Sequence, residues 1–320
     1  MAASITTTNL GSLQYQLSEI KNGFGAEIRG LDFTTGVSDQ EFRVLQDAVT
    51  KYGVVMIRKT GLKDETHIAL GRKFGELDDV TPYIKAGRKN RCKYVELFDV
   101  SNVEEDGSLV DPDSPRGQAN KGNCLFHVDS SFNPRRAGYS LLLIHELPPL
   151  GNGGGIALAD TRTAYDELDA VTKKDLVGND YIAAHSIVHS KKLAAPQHFA
   201  DVDPLKHAMG RHHLLQQHEL SGRMNLYLAA HIHHIEGRQD SQEFFDKLFQ
   251  HCTQDKYVIE IDWEDEGDLL IWDNTCTMHR ALGGAFEGRY RRDMRRVTVH
   301  DSSTHAWGLN EHTDVRQGLP

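Results

Sequence analysis

At 320 residues and 39% hydrophobic content, the chain carries enough apolar material for one large folded domain or two modest ones. Its 46 acidic residues outnumber 36 basic ones, and the resulting net charge of -10 repels phosphate backbones, so nucleic-acid binding has no electrostatic support. No run approaches the roughly 20 apolar residues that span a bilayer, the polar start lacks a secretory pattern, and the four cysteines form no C-x-x-C pair. A soluble cytoplasmic protein without membrane partners is expected.

Ser38 opens SDQEFRVLQDAVTKYG, where Glu41 completes a capping box and Phe42, Leu45, Ala48 and Val49 recur at helical spacing. VVMIR at 54–58 reads as a buried strand and 63–77 as a second helix. From 94 the pattern changes to short strands, YVELFDV, CLFHVDSSF, YSLLLIHEL and IALAD, separated by Gly and Pro clusters. A helix is predicted over 161–177 and another at SQEFFDKLFQHC, followed by strands in YVIEIDW, DLLIWDN and MRRVTVH. Segments 101–123 and 189–213 read as long, lid-like loops. Neither divides the chain, so one domain over 1–320 is expected.

Within FHVDSSF, His127 and Asp129 stand two residues apart in an extended, apolar run. Residues i and i+2 of a strand share a face, so imidazole and carboxylate project together. Burying either alone costs several kcal/mol, on the order of 2–7 for a neutral polar group. A hydrogen-bonded pair meets that cost, and so does a metal. With one more histidine the pair matches the 2-His-1-carboxylate set that binds Fe(II). His279, after the apolar strand LLIWDN and before a glycine pair, is the third candidate. His185, His189, His198, His207, His212, His213, His218, His231, His233 and His234 crowd into loops and element edges and are expected at the surface or around the site.

A rival zinc reading joins CLFH at 124–127 with CTMH at 276–279 as a Cys2His2 set. Alternation opposes it, because Cys124 should point away from His127. Downstream, GRYRRDMRRVTV carries five arginines, and alternation sorts Arg292, Met294, Arg296 and Thr298 onto one face. Two guanidinium groups facing a metal cavity are anion receptors.

Taken in order, FHVDSSF, GRMNLYLAAH at 222–231, WDN before His279, and RRDMRRVTV resemble the TauD/TfdA family of Fe(II)- and 2-oxoglutarate-dependent dioxygenases, from VVMIR to about Val299. The resemblance implies a mainly β, α+β fold: a double-stranded β-helix, jelly-roll-like, with surrounding helices. It implies His127, Asp129 and His279 as iron ligands, Arg292 on the distal carboxylate of 2-oxoglutarate, Arg296 on the substrate's anionic group, and Asn123 in the substrate pocket. The cofactors implied are Fe(II), 2-oxoglutarate as cosubstrate, and O2. The partner is a small organic anion such as an aryloxyalkanoate or a sulfonate, and a homo-oligomer is compatible with the sequence. Two departures stand out. GGGIALAD places Ile156 where the family has a threonine that hydrogen-bonds 2-oxoglutarate, and Phe126 replaces a tryptophan. A zinc-dependent hydrolase and a non-catalytic metal- or acid-binding protein on the same fold are the alternatives.

Overall fold

The computed structural model describes residues 5–10, 13–85, 89–313 and 315. Three strands open the chain, β1 (Ile5–Leu10), β2 (Leu13–Lys21) and β3 (Phe24–Arg29), then helix α1 (Asp39–Tyr52), β4 (Val54–Ile57), α2 (Asp64–Phe74), α3 (Thr81–Lys85) and the short β5 (Phe98–Asp99). α4 (Pro115–Asn120) and a 3-10 turn (Lys121–Cys124) precede β6 (Ala137–Glu146) and β7 (Ile156–Asp160). The middle holds α5 (Thr161–Asp166), α6 (Ala170–Asn179), β8 (Ile182–His185), α7 (Ile187–Ala194), β9 (Gly210–His213), β10 (Leu215–His218), β11 (Arg223–Leu226) and β12 (Ile232–Ile235). α8 (Ser241–Cys252), β13 (Val258–Ile261), β14 (Leu269–Asp273), β15 (Thr277–Ala281) and β16 (Asp293–His300) complete the order.

Two sheets face each other. The larger runs β1-β2-β3-β4-β14-β6-β16-β5 and the smaller β13-β7-β15. Alternation along the strands builds the layers between and around them. Met56, Leu142, Ile144, Leu270, Trp272 and Met294 of the larger sheet pack against Ile156, Leu158, Ile259 and Ile261 of the smaller. The intervening residues of the larger sheet, Val55, Ile57, Leu141, Leu143, Leu269, Ile271, Val297 and Val299, turn outward against α1 and α2. Ala157, Ala159 and Met278 do the same on the smaller sheet, against Phe244, Phe245 and Leu248 of α8. Strands buried on both faces explain why their sequences read as continuous apolar runs.

α1 begins as its sequence indicates. The Ser38 hydroxyl accepts from the Glu41 amide at 3.3 Å, and Glu41 returns the bond to the Ser38 amide at 2.8 Å. Gly53, at φ 74, ends the helix in the left-handed region. Other expectations are corrected. The predicted 161–177 helix is two helices, because Asp169 caps a new start by accepting from the Thr172 amide at 2.8 Å. The 94–100 strand shrinks to β5. FHVDSSF is not a strand: it makes a single bridge, His127 to His279, and then turns, with Ser130 at φ 56. The 101–123 loop contains α4, and 189–213 contains most of α7 and all of β9. No helix among the described residues is long and apolar enough to cross a membrane.

Candidate active site

The inner face of the larger sheet changes character toward one end of the gap between the sheets. In register, β16 pairs Met294 with Ile144, Arg296 with Leu142 and Thr298 with Ser140, so the layer passes from apolar to polar along two neighbouring strands. The polar end receives His279 from β15 and the 127–129 segment that bridges to it. The His127 amide donates to the His279 carbonyl at 2.9 Å and the His279 amide to the His127 carbonyl at 2.8 Å. That pair of main-chain bonds sets two imidazoles side by side, their ring centroids 4.2 Å apart. Phe126 and Val128 turn the other way into the core beside α8. The extended geometry expected at 126–128 therefore holds locally, although no strand continues it.

One ligand atom from each of His127, Asp129 and His279 lies within 4.8 Å of the others, and all three residues are buried. His127 Nδ1 is 2.7 Å from the Leu125 carbonyl. A carbonyl only accepts, so Nδ1 carries the hydrogen and Nε2 keeps its lone pair for a metal. Burial lowers the pKa of both imidazoles, which are neutral ligands at pH 7. Burial opposes ionisation of Asp129, but the Arg296 guanidinium, the two imidazoles and the Ser140 hydroxyl outweigh it and hold the carboxyl well below the usual range. Ser140 Oγ donates to Asp129 Oδ2 at 2.6 Å, Arg296 Nη1 donates to Oδ1 at 2.6 Å, and the Asp129 amide donates to Asn274 Oδ1 at 3.0 Å. Asn274 also accepts from Trp272 Nε1 at 3.1 Å and donates to Ser140 Oγ at 2.9 Å. His279 Nδ1 is buried without a hydrogen-bond partner. Two neutral nitrogens and one carboxylate on a braced frame suit a divalent transition metal.

The arginines divide as alternation indicates, with one qualification. Of the buried arginines Arg58, Arg136, Arg162 and Arg292 among the described residues, the first three pair with Asp268, Asp301 and Asp160. Arg292 has no carboxylate partner among the described residues. Its Nε donates to the Gly154 carbonyl at 3.1 Å and Nη1 to the Val100 carbonyl at 3.5 Å. Burial lowers it to about 10, still charged at neutral pH. Gly154 is required there: at φ +88, a Cβ would meet Arg292 Nε at 3.1 Å and Cδ at 3.2 Å. A desolvated guanidinium lacking an anion is a receptor for an incoming carboxylate. Arg296 instead grips Asp129 and donates from Nε to Thr298 Oγ1 at 3.1 Å, leaving Nη2 without a partner among the described residues. Ile156 lies buried between the sheets and offers no donor. Asn123 is exposed on the 3-10 turn.

The Cys2His2 arrangement is not assembled. Cys124 is exposed, and Cys276 groups instead with His218 and Asp273. Of the histidines expected at the surface or around the site, His231 is one that lies around it. It is buried, its ring lies 5.4 Å from that of His127, and its Nδ1 is 2.8 Å from Ser190 Oγ on α7. No local spacing marks it, since its neighbours come from segments distant in sequence. Ser140 and Asn274, which brace Asp129, were missed. Ser140 gives a faint signal as the lone serine beside the apolar run LLLI of β6.

Fold and site together present a buried cluster of two histidines and one carboxylate that could hold a metal ion, and, immediately before β16, a buried arginine with no carboxylate partner among the described residues. Residues 16–298 match the taurine catabolism dioxygenase TauD, TfdA family. The chain is 34% identical over 279 residues to an alpha-ketoglutarate-dependent 2,4-dichlorophenoxyacetate dioxygenase of Burkholderia sp. (strain RASC), across 86% of this chain and 91% of that one. It is 25% identical over 315 residues to an alpha-ketoglutarate-dependent sulfate ester dioxygenase of Pseudomonas putida, across 93% and 94%. The crystal structure of AAD-2 in complex with Mn(II) and N-oxalylglycine superposes with a TM-score of 0.81 at 29% identity, across 95% of this chain and 100% of that one. This chain belongs to the TauD, TfdA family and is an alpha-ketoglutarate-dependent dioxygenase.

Proposed function

We propose that the chain, as one domain with a double-stranded β-helix core, holds Fe(II) through His127, Asp129 and His279 and hydroxylates a small organic anion of the aryloxyalkanoate or sulfate-ester class. The buried two-histidine, one-carboxylate cluster carries this reading. Bound Fe(II) supplies the oxidation: O2 and 2-oxoglutarate are consumed, and succinate, CO2 and a hydroxylated product are formed. The side chains orient and enclose the reactants. Leu125 fixes the His127 tautomer, and Ser140 and Arg296 fix the Asp129 carboxylate. Arg292 anchors the distal carboxylate of 2-oxoglutarate. Because Ile156 offers no hydroxyl, Arg292 carries that carboxylate without the threonine donor that the family resemblance implies at this position. Arg296 turns Nη2 to the substrate's anionic group, and Asn123 lines the approach. The likeness to a phenoxyacetate dioxygenase and a sulfate ester dioxygenase favours these substrates over the zinc hydrolase and non-catalytic alternatives.

Anaerobic addition of Fe(II) and 2-oxoglutarate to metal-free protein should produce the visible charge-transfer band of the chelate. Oxygen uptake and succinate release are then followed across aryloxyacetates, alkyl sulfates and alkyl sulfonates. We expect His127→Ala to lose the band. An unaltered band in that variant would refute the ligand assignment. Absence of substrate-stimulated succinate release across the panel would refute the substrate class.

A further inference from the structure

Where the β14–β15 turn meets the β10–β11 hairpin, three further metal-capable side chains come together. One ligand atom from each of His218, Asp273 and Cys276 lies within 4.8 Å of the others, and all three residues are buried. His218 ends β10, Asp273 ends β14, and Cys276 stands just before β15. Their outer atoms are already held. His218 Nδ1 is 2.6 Å from Ser221 Oγ, while Asp273 Oδ1 accepts from the Thr275 amide at 2.9 Å and the Thr275 hydroxyl at 2.6 Å. That leaves His218 Nε2 and Asp273 Oδ2 facing each other at 3.0 Å. A carboxylate only accepts, so Nε2 carries a hydrogen in the ion-free protein. Cys276 Sγ makes long sulfur contacts, 3.9 Å to the Asp273 carbonyl and 3.8 Å to Thr277 Oγ1. His218, Asp273 and Thr275 also line a cavity of about 110 Å³, roomy enough for water to enter. The dioxygenase chemistry uses none of the three ligands.

We propose that His218, Asp273 and Cys276 form a second metal site, distinct from the catalytic one, that takes Zn(II). Thiolate together with imidazole selects such an ion over Mg(II) or Ca(II). Around tetrahedral Zn(II), nitrogen, oxygen and sulfur ligands at about 2.0–2.3 Å stand roughly 3.3–3.6 Å apart. The His218–Asp273 pair therefore opens by a few tenths of an ångström, and Cys276 Sγ, within 4.8 Å of a ligand atom on each, closes by little more than an ångström. On binding, the Nε2 hydrogen moves to Nδ1, which then donates to Ser221 Oγ and fixes the liganding tautomer, as outer partners of metal-bound histidines do. Burial raises the Cys276 thiol above its ordinary range, with Arg162 opposing the rise. Coordination deprotonates a thiol outright, and its proton leaves to solvent. Thiolate and carboxylate then cancel the charge of the ion, and water from the cavity completes the coordination. The ion joins β10 to the β14–β15 turn, and Asn274, which braces Asp129, lies between two of its ligands in that turn.

The test adds Co(II) to metal-free full-length protein without 2-oxoglutarate. The catalytic cluster contains no sulfur, so a near-ultraviolet thiolate-to-cobalt charge-transfer band reports a cysteine-bound ion. Wild type should bind two equivalents, one of which raises the band, and Zn(II) should abolish the band by displacement. Cys276→Ser and His218→Gln should each lose the band and one equivalent, and the equivalent kept by the catalytic cluster certifies that the variant is folded. His127→Ala/His279→Ala should keep the band and one equivalent. A wild type without the sulfur band overturns the proposal, as does a band that persists in Cys276→Ser. A misassigned catalytic ligand set would alter only the stoichiometry of His127→Ala/His279→Ala and leave the band unchanged.

Discussion

At Arg292, substitution separates anion binding from metal binding. Its guanidinium is buried with two carbonyl partners among the described residues, and under the proposed assignment 2-oxoglutarate would supply the charged partner. Arg292→Ala should cost about 1.5–3 kcal/mol of 2-oxoglutarate affinity, roughly 10- to 150-fold, while metal uptake stays intact. Titration of the charge-transfer band reads the first and dialysis the second. Ser140 acts through Asp129: it donates to Oδ2 and accepts from Asn274. Ser140→Ala should lower metal affinity on the order of 10- to 100-fold, as losing a ligand's outer partner does, and in unfolding by denaturant should cost the metal-free fold about 1–3 kcal/mol because Asn274 and Asp129 each lose a buried partner. His127 and Asp129 were legible as a pair because alternation acts within a few residues, and His279 because an apolar strand and a glycine pair flank it. His231 was not, because its position against His127 depends on α7 and β12 arriving from distant parts of the chain.

Among the elements, α2 carries an acid-sensitive group. His67 is fully buried, with Nε2 3.0 Å from the Leu141 carbonyl of β6. Burial lowers it from 6.5 to about 3. The folded imidazole is neutral across that interval while the unfolded one is protonated, so the unfolded chain binds the extra proton. Stability is full above pH 6.5 and is lost progressively as pH falls toward 3, on the order of 2 kcal/mol at pH 5. His67→Gln removes the titration, and its denaturation midpoint should fall less between pH 7 and pH 5 than that of wild type. Elements with strong periodicity or caps, such as α1, β7 and α8, were readable with their boundaries nearly right. β8 to β12 were not, because strands of four residues among histidines and glycines are too short to show a period. β2 and β3 lie toward one edge of the larger sheet, where cross-strand pairing stabilises a polar sequence that local pattern leaves ambiguous.

Over the whole molecule, ligand and fold are coupled. Metal and 2-oxoglutarate bind the folded arrangement of segments remote in sequence, so each should raise the melting temperature. A ligand at 100 times its dissociation constant contributes about 2.7 kcal/mol. Calorimetry with Mn(II) and 2-oxoglutarate should show stepwise increases, and a chelator should reverse both. The second step should be smaller in Arg292→Ala, falling from about 2.7 to roughly 0.3–1.4 kcal/mol at the same 2-oxoglutarate concentration.

If His127, Asp129 and His279 hold the metal as proposed, the reciprocal main-chain bonds between His127 and His279 also fix when during synthesis the ion could first be captured. Until the ribosome has released β15, the earlier imidazole has no partner strand and the carboxylate beside it has no second nitrogen opposite. With the proposed ligand set, loading would wait until most of the chain is made, and a nascent chain stalled before residue 279 should emerge unable to retain iron.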